Sequence, residues 1–172
     1  LLTVRPTVFR LATEDRSRKA QIIHIPSTLF DQDLRSRFIA LHRPPVEDVD
    51  ITKADVVVAV GRGIGKQENM PLVNELASVL NGVVACSRPV IDMGWLPKGR
   101  QVGSSGKTVK PKLYIALGIS GAINHVMGMK GSKLVVAINK DPGAPIFDVA
   151  DYGVVCDLLD IVPLLTERLK QK

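Results

Sequence analysis

Asp55-Val56-Val57-Val58-Ala59-Val60, followed by Gly61-Arg62-Gly63-Ile64-Gly65-Lys66, is the stretch on which the reading of the fold turns. Residues 55–60 (DVVVAV) read as a continuous apolar run, which predicts a strand buried on both faces. The glycines after it predict a turn. A helix is predicted from about Glu68 to Leu80, because Leu72, Val73, Leu76 and Leu80 fall on one face. Downstream the same grammar recurs. Residues 82–86 (GVVAC), 113–117 (LYIAL), 134–138 (LVVAI) and 153–156 (GVVC) read as further strands. Helices are predicted from about Ser120 and from about Leu158 to Lys170. Short apolar strands alternating with helices predict an α/β domain with a parallel sheet and helices on both faces. Residues 87–112 are rich in Pro and Gly and show no period, so they read as a long functional loop.

Upstream the character changes. All fourteen glycines lie beyond residue 60. Residues 1–9 (LLTVRPTVF) and 21–25 (QIIHI) read as strands, with a charged stretch ending at Arg43-Pro44-Pro45. Two strands cannot make a core alone. Residues 1–50 therefore read as the end of another domain and a linker, and residues 51–172 as the ligand-binding domain. The start at Leu1, directly in a predicted strand and with no methionine, reads as a fragment.

The composition narrows the function classes. With 172 residues, 45% hydrophobic and 23% charged, the chain has material for a real core and is not a disordered or fibrous protein. No apolar run approaches the ~20 residues of a membrane helix, and no secretory signal opens the chain. Cys86 and Cys156 form no CxxC pair, so they read as small buried thiols of a reducing, cytoplasmic compartment rather than a disulfide framework or metal site. The net charge is +6, and between Lys98 and Lys140 stand eight basic residues and no acid. Such a patch suits a phosphate-bearing ligand. Nucleic acid is the weaker reading, because aromatic residues make up only 4% and stacking platforms are scarce.

Parallel α/β sheets bind ligands at the carboxyl ends of their strands, so the residues after each strand are the candidates. Gly61–Lys66 offers close backbone approach and the Arg62 guanidinium, although its third glycine is misplaced for a dinucleotide fingerprint. Ser87-Arg88-Pro89 offers a hydroxyl and a second guanidinium. Gln101–Thr108 (QVGSSGKT) nearly copies a phosphate loop, yet lacks its first glycine and its helix, which excludes a nucleoside triphosphatase. Asn139-Lys140-Asp141-Pro142 fails in the same way as a guanine-reading element, with Pro142 where an acid is needed. Gly118–His125 (GISGAINH) leads a glycine turn into a helix, which makes an anion site, with His125 beside it. Asp157 is either a helix N-cap or an acceptor for ribose or adenine.

Taken together, Gly61–Lys66, Ser87-Arg88-Pro89, Gln101–Thr108, Gly118–His125 and Ala137–Asp157 (AINKDPGAPIFDVADYGVVCD), in this order and spacing, resemble the C-terminal FAD-binding domain of the electron transfer flavoprotein alpha subunit over residues 54–170. The resemblance implies a Rossmann-like FAD-binding domain and a role as an electron carrier with no substrate-converting site. It places Arg62, Ser87 and Ser120 on the FAD pyrophosphate and ribityl chain. Gln101 and Val102 lead into Gly103, Ser104 and Ser105 beside the flavin, with the Ser105 hydroxyl at N5/O4. Arg88 lies over the flavin ring. Gly121, Ala122, Ile123, Asn124 and His125 form the helix opening, with His125 near O2. Asn139, Asp157 and Leu158 lie at the adenosine end.

Two departures matter. The family commonly reads VGQTG where this chain has Val102-Gly103-Ser104-Ser105-Gly106, and commonly has Gln at Asn124. A hydroxyl survives at 105, but the amide at 104 is lost. Arg88 and His125, if charged, would favour negative charge arriving on the ring. The implied partners are the electron transfer flavoprotein beta subunit, as a heterodimer, and flavin dehydrogenase donors, with a mitochondrial matrix location as the alternative to the cytoplasm. The rival class is a non-redox module that binds or senses a nucleotide. A nicotinamide-linked dehydrogenase would need a catalytic His/Asp pair, which the sequence does not supply.

Overall fold

The computed structural model describes residues 3, 13–26, 36–40 and 49–171. The chain divides between residues 42 and 43 into two compact units. In the first, residues 21–25 form no strand, contrary to the sequence expectation. Ile22, Ile23 and Ile25 stand exposed there. A strand exists only where a neighbour takes its N–H and C=O groups, and none does so among the described residues. The strand expected over residues 1–9 lies outside the described residues.

The second unit is a five-stranded parallel sheet. Its strands are β1 (Val56–Val60), β2 (Val83–Cys86), β3 (Leu113–Leu117), β4 (Val135–Asn139) and β5 (Tyr152–Val155), in the spatial order β2-β1-β3-β4-β5. Every pairing is parallel, with Val58 opposite Val84 on one side and Ile115 on the other. The helices are α1 (Met70–Val79), α2 (Arg88–Asp92), α3 (Ile123–Met129) and α4 (Leu158–Lys170).

Side-chain alternation along the strands divides the core in two. Val58, Val60, Ile115, Leu117 and Ile138 face Val73 and Leu76 of α1 and Val162 of α4. Val57, Ala59, Tyr114, Ala116 and Ala137 face the other side, covered by Met129 of α3 with Ile51 and Ile146 from 3₁₀ turns. Both layers therefore bury β1 and β3, which explains their unbroken apolar runs. β5 is the outer strand beyond β4, and its residues are exposed. Cys86 is fully buried as a free thiol, whereas Cys156 is only partly buried.

Residues 87–112 hold more order than their composition suggests. Arg88–Asp92 is a short helix with Pro89 in its first turn, where a missing N–H costs nothing. Five residues are too few to show a helical period. Lys98–Arg100 is a 3₁₀ turn. Gln101 then bridges Cys86, and Val102 bridges Lys107, so the stretch returns to the end of β2. Among the described residues no helix is long and apolar enough to cross a membrane.

Candidate functional site: a cleft at the sheet's switch point

Chain order reverses between β1 and β3: from β1 the next strand, β2, lies on one side, while β3 to β5 extend on the other. Connections leaving β1 and β3 diverge to opposite faces there, opening a crevice at the strands' carboxyl ends. A cavity of about 630 Å³ occupies this place, within the range of small-molecule sites. Its lining includes Arg62, Ser87, Arg88, Gln101, Val102, Gly103, Ser105, Ser120, Ala122, Asn124, His125 and Asn139. Twelve of the seventeen residues named from sequence thus meet on one wall system, although they come from five separate chain segments. Ser104, Gly121, Ile123, Asp157 and Leu158 do not line it. Lys140 and Asp141, not anticipated, do.

The turns at the base are packed backbone on backbone. Gly118 has φ +59°, and a β-carbon there would lie 2.8 Å from Gly63 Cα. A β-carbon on Gly61 would strike the Gly118 carbonyl oxygen. This close approach alters the phosphate-cradle reading of Gly61–Lys66. Gly61 donates its N–H to Leu117 O and Gly63 donates to Gly118 O, while Ile64, Gly65 and Lys66 donate within their own turn. These amides are committed to the protein, so the segment contributes the exposed Arg62 side chain instead.

The open donors lie on the opposite lip. Ala122 occupies the N-cap of α3 and has no side chain to close it. The first N–H groups of a helix have no partner within it, and those of Ser120 to Asn124 find no acceptor among the described residues. Gly121 (φ +88°) makes this lip possible, because a β-carbon there would collide with Ile146 N. Ser87 stands at the N-cap of α2, but its hydroxyl makes no capping bond. Arg88 is mostly exposed and pairs with Asp92 at 3.5 Å.

The loop carrying Ser105 is pinned at both ends. Val102 donates to Cys86 O at 2.9 Å, and Ser104 donates its N–H to Asn124 O at 2.7 Å. Gln101, buried, donates from Nε2 to Ser105 Oγ at 2.8 Å. A hydroxyl that accepts from an amide is left with its own hydrogen to donate. Asn139 braces the wall, donating to Ile119 O at 2.9 Å and accepting from the Asp141 N–H at 3.1 Å. Asp157 resolves as a helix cap: its carboxylate accepts from the Leu159 N–H at 2.9 Å. Leu158 is buried behind the cavity, against Gly118.

His125 differs from the charged group the sequence allowed. Burial, opposed by the nearby Val102 carbonyl, pushes its pKa from 6.5 to about 4, so it is neutral at pH 7. One nitrogen, Nε2, lies 2.8 Å from the Tyr114 hydroxyl, and Nδ1 has no partner among the described residues. The pH consequence follows by linkage. The unfolded chain takes up this proton near 6.5 and the folded one only near 4, so stability present above pH 6.5 is lost as pH falls toward 4. The loss is on the order of 3 kcal/mol. Denaturant midpoints at pH 7 and 4.5 should therefore converge more in His125→Asn than in the unmodified chain. An equal acid loss in both would refute the linkage.

Two guanidinium groups, open backbone donors and free hydroxyls at the switch point of a 2-1-3-4-5 sheet define a dinucleotide-binding α/β domain. Residues 50–130 match the family described as the electron transfer flavoprotein FAD-binding domain. The chain belongs to the electron transfer flavoprotein alpha family and carries its FAD-binding domain. It is 46% identical over 169 residues to an electron transfer flavoprotein subunit alpha of Thermoanaerobacterium thermosaccharolyticum, covering 98% of this chain and 51% of that protein. It is 47% identical to an acryloyl-CoA reductase electron transfer subunit beta of Anaerotignum propionicum, covering 98% and 47% respectively. A mitochondrial electron transfer flavoprotein subunit alpha of Arabidopsis thaliana is 41% identical, with 100% and 49% coverage. The chain spans about half the length of the curated relatives it matches.

The residues present fit FAD. A diphosphate suits the cations and open N–H groups. The unpartnered His125 Nδ1 suits a ring edge that offers carbonyl and nitrogen acceptors.

Proposed function

We propose that this chain is the FAD-binding electron-transfer module of an electron transfer flavoprotein alpha subunit. In this reading it relays electrons from flavin dehydrogenases to a downstream acceptor, in a heterodimer with a beta subunit. The observation that carries it is the convergence of Arg62, Ser87, Arg88, Ser105, Ser120 and His125 on one cleft at the switch point. FAD, when bound, supplies the redox chemistry. Arg62, Ser87 and Ser120 hold the diphosphate and the chain beside it. Ser105, with its oxygen satisfied by Gln101, donates toward the ring. His125 contributes a neutral imidazole, so the positive charge near the ring rests on Arg88. Asn139 shapes the adenosine end through the loop it braces, while Asp157 and Leu158 act from behind the wall.

The same reading divides the chain into an N-terminal remnant over residues 1–50 and a FAD domain over 51–172, and places it in the cytoplasm. Nucleic acid is not among its partners.

The test is a titration of the purified chain with FAD, followed by stepwise reduction with dithionite. Uptake of about one flavin per chain, reducible in the visible spectrum, is the expected result. A bound flavin that resists dithionite would favour the non-redox nucleotide module. No uptake, either alone or with a beta subunit added, would overturn the reading.

A further inference from the structure

Tyr114 was no candidate in the sequence, where it reads as one more core residue of LYIAL. It is the largest fully buried side chain of the domain. It sits on the face of the sheet that α3 covers, and its hydroxyl lies 2.8 Å from His125 Nε2. No other hydrogen-bond partner of that hydroxyl occurs among the described residues.

Donor and acceptor counting fixes the direction of this bond. A neutral imidazole has one N–H and one bare nitrogen. If Nε2 carried the hydrogen, it would donate to the Tyr114 oxygen. The phenolic O–H and a bare Nδ1 would then both be buried without a partner. An unsatisfied buried donor costs about 1–3 kcal/mol. In the opposite arrangement the phenol donates to a bare Nε2, and the hydrogen resides on Nδ1. Only Nδ1 then lacks a partner, and His125 lines the cavity.

We infer that Tyr114 is a positioning residue that donates to His125 Nε2, locks the imidazole in its Nδ1–H tautomer, and thereby presents one fixed neutral donor to an acceptor atom of the flavin ring. The tautomer part stands without any ligand; the flavin part rests on the FAD reading above. The arrangement matters for a redox site because a neutral N–H can strengthen its bond as the ring gains electrons without the cost of burying a second full charge.

The experiment uses the whole chain labelled with ¹⁵N-histidine, free of FAD, at pH 7. Long-range proton–nitrogen spectra distinguish protonated from bare ring nitrogens, and His125→Asn assigns the signal. A protonated Nδ1 and a bare Nε2 are expected. A bare Nδ1, or two protonated nitrogens, would overturn the inference. Tyr114→Phe keeps the ring and removes the hydroxyl. It should mix the two tautomers and weaken FAD binding roughly three- to tenfold. An unchanged tautomer in that variant would overturn the locking role, and a mixed tautomer with unchanged FAD affinity would overturn the presentation to the ring. A chain that takes up no FAD, alone or with a beta subunit added, yet shows the Nδ1–H form upholds the role of Tyr114 and overturns the FAD reading instead.

Discussion

Gly121→Val should cost more than about 3 kcal/mol of folding free energy, a large part of the stability of a domain this size. Two independent effects add at this position. The backbone is at φ +88°, a region that β-branched residues scarcely enter. A β-carbon would also strike the backbone nitrogen of Ile146, which is itself held by its bond to Ser120 O at 3.0 Å. Neither obstacle is the flexible end of a side chain, so relief requires moving the 3₁₀ turn Pro145–Val149 or the lip before α3. Because that lip carries the open N–H groups, FAD uptake should fall with stability. Chemical denaturation should show a midpoint lowered well outside error. A midpoint unchanged within 0.5 kcal/mol would mean that the two segments are not in contact. The nearby Gly143 is the control. Its β-carbon would meet only Asp141 Oδ1 at 3.4 Å, so Gly143→Ala should be mild.

Arg88→Ala should lower the first reduction potential of the bound flavin by on the order of 60 mV, a tenfold change in a one-electron equilibrium. The sign follows from Coulomb's law: a fixed cation favours the state with one more negative charge. His125 is neutral, so it cannot substitute for the lost guanidinium. The size stays modest because the Arg88 side chain is 70% exposed and shares its charge with Asp92. Spectroelectrochemistry at low and moderate salt measures the effect, which should shrink as salt rises. A variant that retains FAD at an unchanged potential would remove Arg88 from this role. Loss of FAD alone would instead make Arg88 a binding residue.

The extent to which the site was legible depended on the range of the interactions. Arg62, Arg88, Ser120 and His125 were readable as candidates because each follows a recognisable strand, and the ends of parallel strands are where ligands bind. What those residues do there was not readable. The glycines of Gly61–Lys66 read as open to phosphate, but Leu117 O and Gly118 O, more than fifty residues away, take the amides of Gly61 and Gly63, and those of Ile64, Gly65 and Lys66 close their own turn. The cap at Asp157 was balanced between two roles until the Leu159 N–H took the carboxylate. α2 escaped notice because five residues show no period. Residues 21–25 read as a strand because an isoleucine-rich run reports β-propensity and not the presence of a pairing neighbour.

By itself the sequence determined the class: five apolar runs of strand length, the helical periods between them, and glycines at the turns. These are local signals, set by backbone sterics and side-chain period within a dozen residues. Only the tertiary structure decided the order β2-β1-β3-β4-β5, and with it the cleft between β1 and β3. It alone brought Tyr114 to His125 and Gln101 to Ser105. Hydrogen-bond satisfaction in a buried site is a balance over all neighbours in space. The protonation, tautomer and free donors of the site are therefore properties of the packed fold, and no single segment carries them.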